Sequence, residues 1–169
     1  WAKKQTTFAR PISIINDKTK SPEDRVGSIG DIDFVLKNAR IADDLLVIGS
    51  DNLSDYNIHD YVQFAKEKSP SITVGLYDIN NRSEATQFGV VELGDGGKIS
   101  SFEEKPESPK SSLVAMCFYY LPKKSLGLIR DYLLEFNKPD KAGDYICWLC
   151  RRNDVYGFTF TGKWYDIGS

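Results

Sequence analysis

The sequence of 169 residues has little of several features that point to particular kinds of protein. It has one histidine, His59, so histidine-rich metal sites and histidine-based catalytic triads are poorly supported. Its longest apolar run, residues 113–121, is far shorter than the roughly 20 residues that a membrane-spanning helix needs. The formal net charge of −2 gives no general attraction to nucleic-acid phosphates, although a small anionic ligand is compatible with it. We therefore expect neither a membrane protein nor a nucleic-acid-binding protein.

Cysteine is also scarce. Cys117, Cys147 and Cys150 cannot all pair with one another, and no secretory signal precedes them. We therefore expect reduced thiols in a cytoplasmic protein. Cys147 and Cys150 form a C-x-x-C pattern, but the pattern lies inside an apolar run and no second cysteine pair completes a zinc site. Small, buried, unreactive side chains are the better interpretation.

Strand-like and helix-like segments alternate along most of the chain with no long linker, which predicts one compact α/β domain. Strands are predicted at residues 12–15, 45–48, 72–77, 113–121 and 155–160, and helices at 28–39, 58–65, 124–136 and 144–152. Two further apolar segments flank the glycine-rich residues 94–97 and predict a β-hairpin. The order strand, helix, strand over residues 45–77 predicts parallel neighbouring strands with a right-handed crossover between them.

Two aspartates, Asp51 and Asp166, stand in polar or glycine-containing loops that follow strand-like segments. Ligands of α/β sheets bind outside the carboxyl ends of the strands, which is where Asp51 falls. Two such carboxylates could hold one divalent ion, because magnesium takes few protein carboxylates and fills its other positions with water and substrate phosphates. The alternative is that both residues only cap turns, and spacing alone favours that alternative.

A charged segment, FEEKP at residues 102–106, ends the second strand of the hairpin. Pro106 would fix the direction of the chain just after Lys105. A lysine held there could meet a phosphate as a compact charge, while Glu104 accepts hydrogen bonds from sugar hydroxyls. The alternative is a solvated, charged strand end, which composition alone favours.

Five segments of the chain follow one another in a recognisable order and spacing. They are RVGSIGD at residues 25–31, LVIGSDN at 46–52, FGVVE at 88–92, FEEKP at 102–106 and WYDIGS at 164–169. Together they resemble the sugar-phosphate nucleotidyltransferases, in particular the glucose-1-phosphate thymidylyltransferases and related nucleoside-diphosphate-sugar pyrophosphorylases. The resemblance implies a Rossmann-like fold, a three-layer α/β/α sandwich with a mixed sheet and an inserted hairpin. It also implies that residues 1–169 form a single domain that is incomplete at its N-terminus.

The resemblance further implies a reaction and a set of site residues. A nucleoside triphosphate would react with a sugar 1-phosphate in the presence of Mg²⁺ to give a nucleoside-diphosphate sugar and pyrophosphate. Asp51 and Asp166 would be the magnesium ligands, and Asp51 would also be catalytic and contact the nucleotide. Lys105 would be catalytic and hold the sugar phosphate. Glu104 and Gly89 would contact the sugar.

The chain also departs from the pattern of the family. Relatives begin with a G-x-G-T-R-L loop that wraps the triphosphate, whereas here no glycine precedes Gly27, which by resemblance would let the backbone approach the nucleotide base. Ser50 and Cys117 stand where relatives often carry glycine, and Ser112 replaces a sugar-contacting asparagine, so the sugar and the nucleoside are left open.

Two interpretations of the chain therefore stay open. One is a piece of a catalytic nucleotidyltransferase, which the presence of both aspartates favours. The other is a non-catalytic nucleotide-sugar-binding or regulatory domain, which the absence of the triphosphate loop favours. Because the opening strands of the fold are missing from this sequence, we expect an uncovered sheet edge and exposed apolar surface, and with them either self-association into a homo-oligomer or marginal stability.

Overall fold

The structure is a computed structural model that describes residues 12–136 and 141–168. Its four helices are α1 (Gly27–Asn38), α2 (Ile58–Glu67), α3 (Gly127–Glu135) and α4 (Ala142–Cys150). Its eight strands are β1 (Leu45–Ile48), β2 (Asn52–Ser54), β3 (Ile72–Asp78), β4 (Gly89–Leu93), β5 (Ile99–Glu104), β6 (Leu113–Leu121), β7 (Val155–Thr159) and β8 (Trp164–Asp166). These elements confirm a mixed α/β fold, and most of the predicted segments lie within a few residues of an observed one.

The main sheet is mixed, as predicted. Its strands follow the order β5-β4-β6-β3-β7. Strand β1 also pairs with β6, on the same side as β4 but further along the strand. Strands β3 and β7 are parallel, whereas the other pairs are antiparallel. A separate two-stranded sheet joins β2 to β8. This small sheet connects residues in the first third of the chain to residues 164–166.

The predicted adjacency of the two parallel strands is wrong. Strands β1 and β3 do run in the same direction, but β6 lies between them and is antiparallel to both. In the register, Tyr119 stands opposite Val47 on one side and Val74 on the other. Local periodicity shows that a helix joins two strands, but it does not show that a strand from later in the chain is inserted between them. The nine-residue apolar strand β6 takes this central place because it can be buried on both faces.

Helices cover both faces of the main sheet and give the three-layer arrangement that the resemblance implied. Side chains of α1, α3 and α4 pack on one face around Tyr119 and Leu121 of β6. Helix α2 packs on the other face, where Tyr61 contacts a cluster that includes Phe118 and Tyr120. Successive side chains of a strand point to opposite faces, so odd- and even-numbered residues of β6 belong to different cores.

The hairpin is also confirmed. Strands β4 and β5 pair antiparallel across the turn, and Gly96 and Gly97 have φ angles of +66° and +81°. Both angles lie in the left-handed region that favours glycine.

The strand predicted at residues 12–15 is wrong. Residues 12–20 have no regular secondary structure, and Ile12 and Ile14 are 42 % and 74 % exposed. A short apolar run forms a strand only where another strand supplies hydrogen bonds and a face to bury, and no such partner stands beside it within residues 12–136 and 141–168. Across the same ranges, no helix is long and apolar enough to cross a membrane.

Candidate functional site

A cavity of about 330 Å³ opens beside the ends of several strands of the fold. It is lined by Asp51, Asn52, Gln87, Phe88, Gly89, Phe102, Glu104, Lys105, Ala115, Cys117, Tyr119, Lys141, Ala142, Gly143, Trp164 and Asp166. We call it the site cavity. It brings together three carboxylates and two amines from four separate parts of the chain. Five of the six residues that the resemblance singled out line this cavity.

The two predicted aspartates, which we call the acidic pair, are joined by the small sheet. Asn52, the residue after Asp51, stands opposite Asp166 in the register of β2 and β8. Beyond β8 the chain folds back, and the backbone N–H of Ile167 donates to the carbonyl oxygen of Asp51 at 2.9 Å. A Cβ added to Gly168 would lie 2.7 Å from Oδ2 of Asp51, so the glycine permits this close approach. Asp166 does cap a turn, because its Oδ1 accepts from the backbone N–H of Gly168, and the pair also converges through contacts between distant parts of the chain.

The acidic pair could hold a divalent cation whose other ligand positions are filled by water or a phosphate. Oδ1 of Asp51 accepts a hydrogen bond from Asn52 at 2.7 Å, and Oδ1 of Asp166 accepts one from the backbone N–H of Gly168 at 2.9 Å. The other oxygen of each carboxylate has no hydrogen-bond donor among the described residues. Within those residues, no group of three or more histidine, cysteine or acidic side chains is arranged to hold a metal. Such a pair suits Mg²⁺, which keeps water and substrate phosphate as its remaining ligands.

Glu104 lies between two glycines. A Cβ on Gly143 would come within 1.9 Å of its Oε2, and a Cβ on Gly89 would come within 3.1 Å of the same oxygen. Burial raises the pKa of the Glu104 carboxyl, and Asp144 adds to this effect, while Lys105 and Lys141 oppose it. The missing side chains of the two glycines therefore make room for a carboxylate that is only partly hydrated.

The alternation of strand β5 separates the two acids of the charged segment. Glu104 faces the site cavity, whereas Glu103 forms an ion pair with Lys110 at 3.0 Å outside it. Lys105 follows with a φ of +48°, and its backbone N–H donates to the carbonyl oxygen of Phe88 at 3.0 Å. Left-handed backbone is uncommon for a residue with a side chain and is found more often at functional sites. The charged strand end is thus an organised part of the cavity wall.

Sequence reasoning missed the contribution of helix α4. Lys141, the residue before the helix, and Gly143 in its first turn both line the site cavity. They lie more than thirty positions beyond Glu104 in the sequence, and only the packing of α4 on β5 brings the three together. The local signal for them is a lysine two residues before a glycine, just ahead of a predicted helix. This pattern is common, so it does not by itself indicate a binding site.

Cys117 lines the floor of the site cavity beside the loop of Asp51. The backbone N–H of Gly49 donates to the Cys117 carbonyl at 2.8 Å, and a Cβ on Gly49 would lie 2.8 Å from the Cβ of Cys117. Burial raises the pKa of the Cys117 thiol, and Asp51 adds to the shift. All three cysteines are free and partly buried, in agreement with the expectation of small unpaired side chains.

Gly27 is the one predicted site residue that lies elsewhere. It begins helix α1 with a φ of +77° and is buried. It lines a separate cavity of about 300 Å³ whose wall shares no residue with the site cavity. Its predicted contact with the nucleotide base stays a prediction.

The protein has a three-layer α/β fold, and the acidic pair and Lys105 line one cavity at the ends of its strands. Residues 7–169 match the family model described as nucleotidyl transferase. The chain therefore belongs to the nucleotidyl transferase family, as the five segments implied. Its homologues are sugar-phosphate nucleotidyltransferases.

The relatives narrow this class further. The chain is similar to a glucose-1-phosphate adenylyltransferase of Clostridium novyi (strain NT), with 32 % identity over 149 residues that make up 83 % of this chain and 39 % of the relative. The enzyme of the same name from Thermosipho africanus (strain TCF52B) is 28 % identical over 150 residues, 83 % of this chain and 35 % of that relative. The chain thus spans less than two fifths of the length of these two relatives.

A solved structure supports the fold. It is described as a glucose-1-phosphate thymidylyltransferase of Bacillus anthracis in complex with sucrose. The TM-score is 0.67 at 24 % sequence identity, and the match covers 85 % of this chain and 56 % of the other. At that level of identity the likeness concerns the fold alone. The fold class is thereby confirmed.

Proposed function

We propose that the whole protein transfers a nucleotidyl group from a nucleoside triphosphate to a sugar 1-phosphate. One observation carries this proposal: the acidic pair, Glu104 and two lysines line one cavity although they come from distant parts of the chain. Charged side chains that only face solvent are not expected to converge on one cavity from distant parts of the chain. Such convergence is expected for a site that binds two phosphorylated substrates and a cation.

The proposed reaction needs little acid–base chemistry from the protein. A phosphate oxygen of the sugar 1-phosphate, already anionic near neutral pH, attacks the α-phosphorus of the triphosphate. A new P–O bond forms there, the bond between the α-phosphorus and the bridging oxygen breaks, and pyrophosphate leaves with the bonding electron pair. The protein then acts through alignment and neutralisation of charge. The single histidine of the chain is consistent with this chemistry.

The side chains of the site cavity suit distinct tasks in this reaction. Lys105 would hold the phosphate of the sugar phosphate, and Lys141 supplies a second positive charge to the same cavity. Glu104 would accept hydrogen bonds from sugar hydroxyls, and the bare backbone at Gly89 leaves space beside them. Asp51 and Asp166 would hold Mg²⁺, which when bound neutralises charge on the transferring phosphate.

The substrates are proposed only as classes. Both named relatives act on glucose 1-phosphate by their names, so we propose a hexose 1-phosphate as acceptor. We propose that Gly27, at the start of α1, lies near the nucleotide base, because its bare and buried backbone allows a close approach. We also propose a single domain in a reducing compartment such as the cytoplasm, which three free thiols support, and self-association of the chain.

A second candidate function is a domain that binds a nucleotide sugar without catalysis. Gly89 and Glu104, which are proposed to contact the sugar, line the site cavity, and a domain that only binds a nucleotide sugar would use the same residues. Because the 169 residues contain no G-x-G-T-R-L segment to wrap a triphosphate, we propose that these residues by themselves turn over weakly or not at all. An activity assay on the whole protein separates the two candidates.

The decisive experiment measures pyrophosphate release by the whole protein with glucose 1-phosphate, Mg²⁺ and each common nucleoside triphosphate in turn. We expect release with at least one triphosphate, and loss of that release in the Asp51→Asn variant. Binding of a nucleoside-diphosphate sugar with no release under any condition would overturn the catalytic proposal and support the second candidate. Robust release by the 169-residue chain alone would contradict our proposal that it turns over weakly.

A further inference from the structure

Two side chains of the site cavity form a hydrogen-bonded connection to Asp51. The indole Nε1–H of Trp164 donates to Oδ1 of Asn52 at 2.8 Å. The Nδ2 of Asn52 donates to Oδ1 of Asp51 at 2.7 Å, and lies 3.5 Å from the carbonyl oxygen of Gly49. The connection therefore runs from an aromatic ring, through one amide, to a member of the acidic pair.

The direction of this connection is fixed by the chemistry of its two ends. The indole of Trp164 can only donate, so the amide oxygen of Asn52 must face it. The carboxylate of Asp51, when ionised, can only accept, so the amide nitrogen must face that side. The amide oxygen of Asn52 faces a group that can only donate, and the amide nitrogen faces a group that can only accept. The amide therefore has a single orientation.

Packing holds Trp164 in place. Its ring makes edge contacts with Tyr77 and Phe88, both at 5.5 Å between ring centroids. It also lies in β8, where the register with β2 places it two residues from the position opposite Asn52. The starting point of the connection is thus set by a strand pairing and an aromatic cluster, both independent of any substrate.

We propose that Asn52 and Trp164 are positioning residues that set the affinity of the acidic pair for a divalent cation. Asn52 holds Oδ1 of Asp51, which leaves Oδ2 as the oxygen available to the ion, and Trp164 keeps the amide of Asn52 turned for that task. This inference rests on the proposed function in one respect, namely that Asp51 is a metal ligand. Removing a partner that orients a ligand typically weakens metal affinity about 10–100-fold.

The test is a titration of the whole protein with Mn²⁺ alone, in which the electron paramagnetic resonance signal reports the concentration of the free ion. We expect Asn52→Ala to weaken Mn²⁺ binding about 10–100-fold. Trp164→Phe keeps an aromatic ring in the cluster but removes the indole donor, and we expect a smaller loss, up to about tenfold. The double variant should bind as weakly as Asn52→Ala and no more weakly, because Trp164 acts only through Asn52.

A matched control lies in the same aromatic cluster. Tyr77→Phe removes the hydrogen bond from its hydroxyl to the Gly162 carbonyl, at 3.1 Å, without touching the connection to Asp51. We expect wild-type Mn²⁺ affinity for this variant. A second readout needs no metal: the indole N–H resonance that disappears in Trp164→Phe should shift in Asn52→Ala and stay in place in Tyr77→Phe.

The outcomes separate this inference from the function on which it rests. If the unsubstituted whole protein does not bind Mn²⁺, or if Asp51→Asn binds it as well as wild type, the metal assignment fails and the positioning role fails with it. If Asp51→Asn weakens binding while Asn52→Ala and Trp164→Phe leave it unchanged, only the positioning role is overturned. Additive losses in the double variant would also overturn it, because they would show two independent effects.

Discussion

The two faces of strand β6 show how one element serves two purposes. Its even-numbered residues Met116 and Phe118 are 1 % and 2 % exposed and pack under helix α2. Its odd-numbered residues Ala115 and Cys117 are small, only partly buried, and line the site cavity. Large side chains fill the space under α2, whereas the small side chains of Ala115 and Cys117 on the other face leave space beside the larger Tyr119. The comparison teaches that two small residues on an otherwise well-packed strand make room for the cavity.

The largest expected effect comes from weakening the face that packs under α2. Phe118→Ala should lower the free energy of unfolding by about 3–5 kcal/mol, because it leaves a void among the rings of Tyr61 and Phe160. Urea denaturation of the chain measures this change. Cys117→Ala, the adjacent residue on the other face, is the control and should cost far less. Equal losses for the two variants would contradict the division between the faces.

The next largest effect is a loss of turnover without a loss of stability. Asp166→Asn in the whole protein should reduce metal-dependent turnover about a hundredfold or more, since the acidic pair loses one charged ligand. The side chain is exposed, so the urea midpoint should stay near that of wild type. Steady-state assays over a range of Mg²⁺ concentrations provide the measurement. Near-normal turnover of the variant would show that the metal assignment is wrong.

A smaller effect should follow from filling the floor of the cavity. Ala115→Leu places three more carbon atoms in a space of about 330 Å³ and should raise the KM for the sugar phosphate about tenfold. Val114→Leu, a neighbour on the opposite face that is fully buried, is the matched control. It should affect stability and leave KM unchanged. A rise in KM only for the Val114 variant would contradict the prediction, because it would indicate that the substrate binds on the Val114 face of β6.

The smallest effect is a pH-dependent change in stability at Glu104. Its pKa is raised in the folded state by burial, so the folded protein holds the proton to a higher pH than the unfolded chain does. Stability is therefore lost as pH rises from the ordinary value of 4.5 through the raised pKa, and the loss persists at pH 7. Glu104→Gln should raise Tm at pH 7 on the order of 1 °C, and should not raise it at pH 4.

Calorimetry at the two pH values checks this last prediction, and a ligand titration should show weaker sugar-phosphate binding by the same variant. A lower Tm for Glu104→Gln at pH 7 would mean that the attraction of Lys105 and Lys141 outweighs burial. Glu103→Gln is the control, because Glu103 lies on the other side of strand β5, where it pairs with Lys110 outside the cavity.

Much of the fold and part of the site could be predicted from the sequence. Strand β6 is recognisable as a long apolar run, and the hairpin follows from glycines at the positions that need positive φ. Asp51 follows β1 as anticipated, whereas Asp166, which was expected in a loop, is the last residue of strand β8, and the sequence did not predict that strand. The apolar run, the hairpin and the place of Asp51 depend on a few neighbouring residues, and local chemistry is sufficient to predict them.

The rest depends on contacts that local chemistry does not encode. The run at residues 12–15 is as apolar as a strand, but no partner stands beside it within the described part of the chain. The place of β6 between β1 and β3 is decided by competition among strands for the centre of the sheet. Lys141 and Gly143 enter the cavity only because α4 packs on β5. In each case tertiary packing decides the outcome, and a single sequence does not show it.

The pairing of β2 with β8 has a consequence for the order of events during synthesis. Trp164 and Asn52 are separated by 112 positions, so the two halves of the acidic site emerge from the ribosome at very different times. A nascent chain can already contain the whole of α2, β3 and β6, and with them much of the core, before any residue of β8 exists. Contacts so distant in sequence form late and carry a large entropic cost of closing the loop between them. The protein can therefore be largely folded while the site cavity still lacks Trp164 and Asp166.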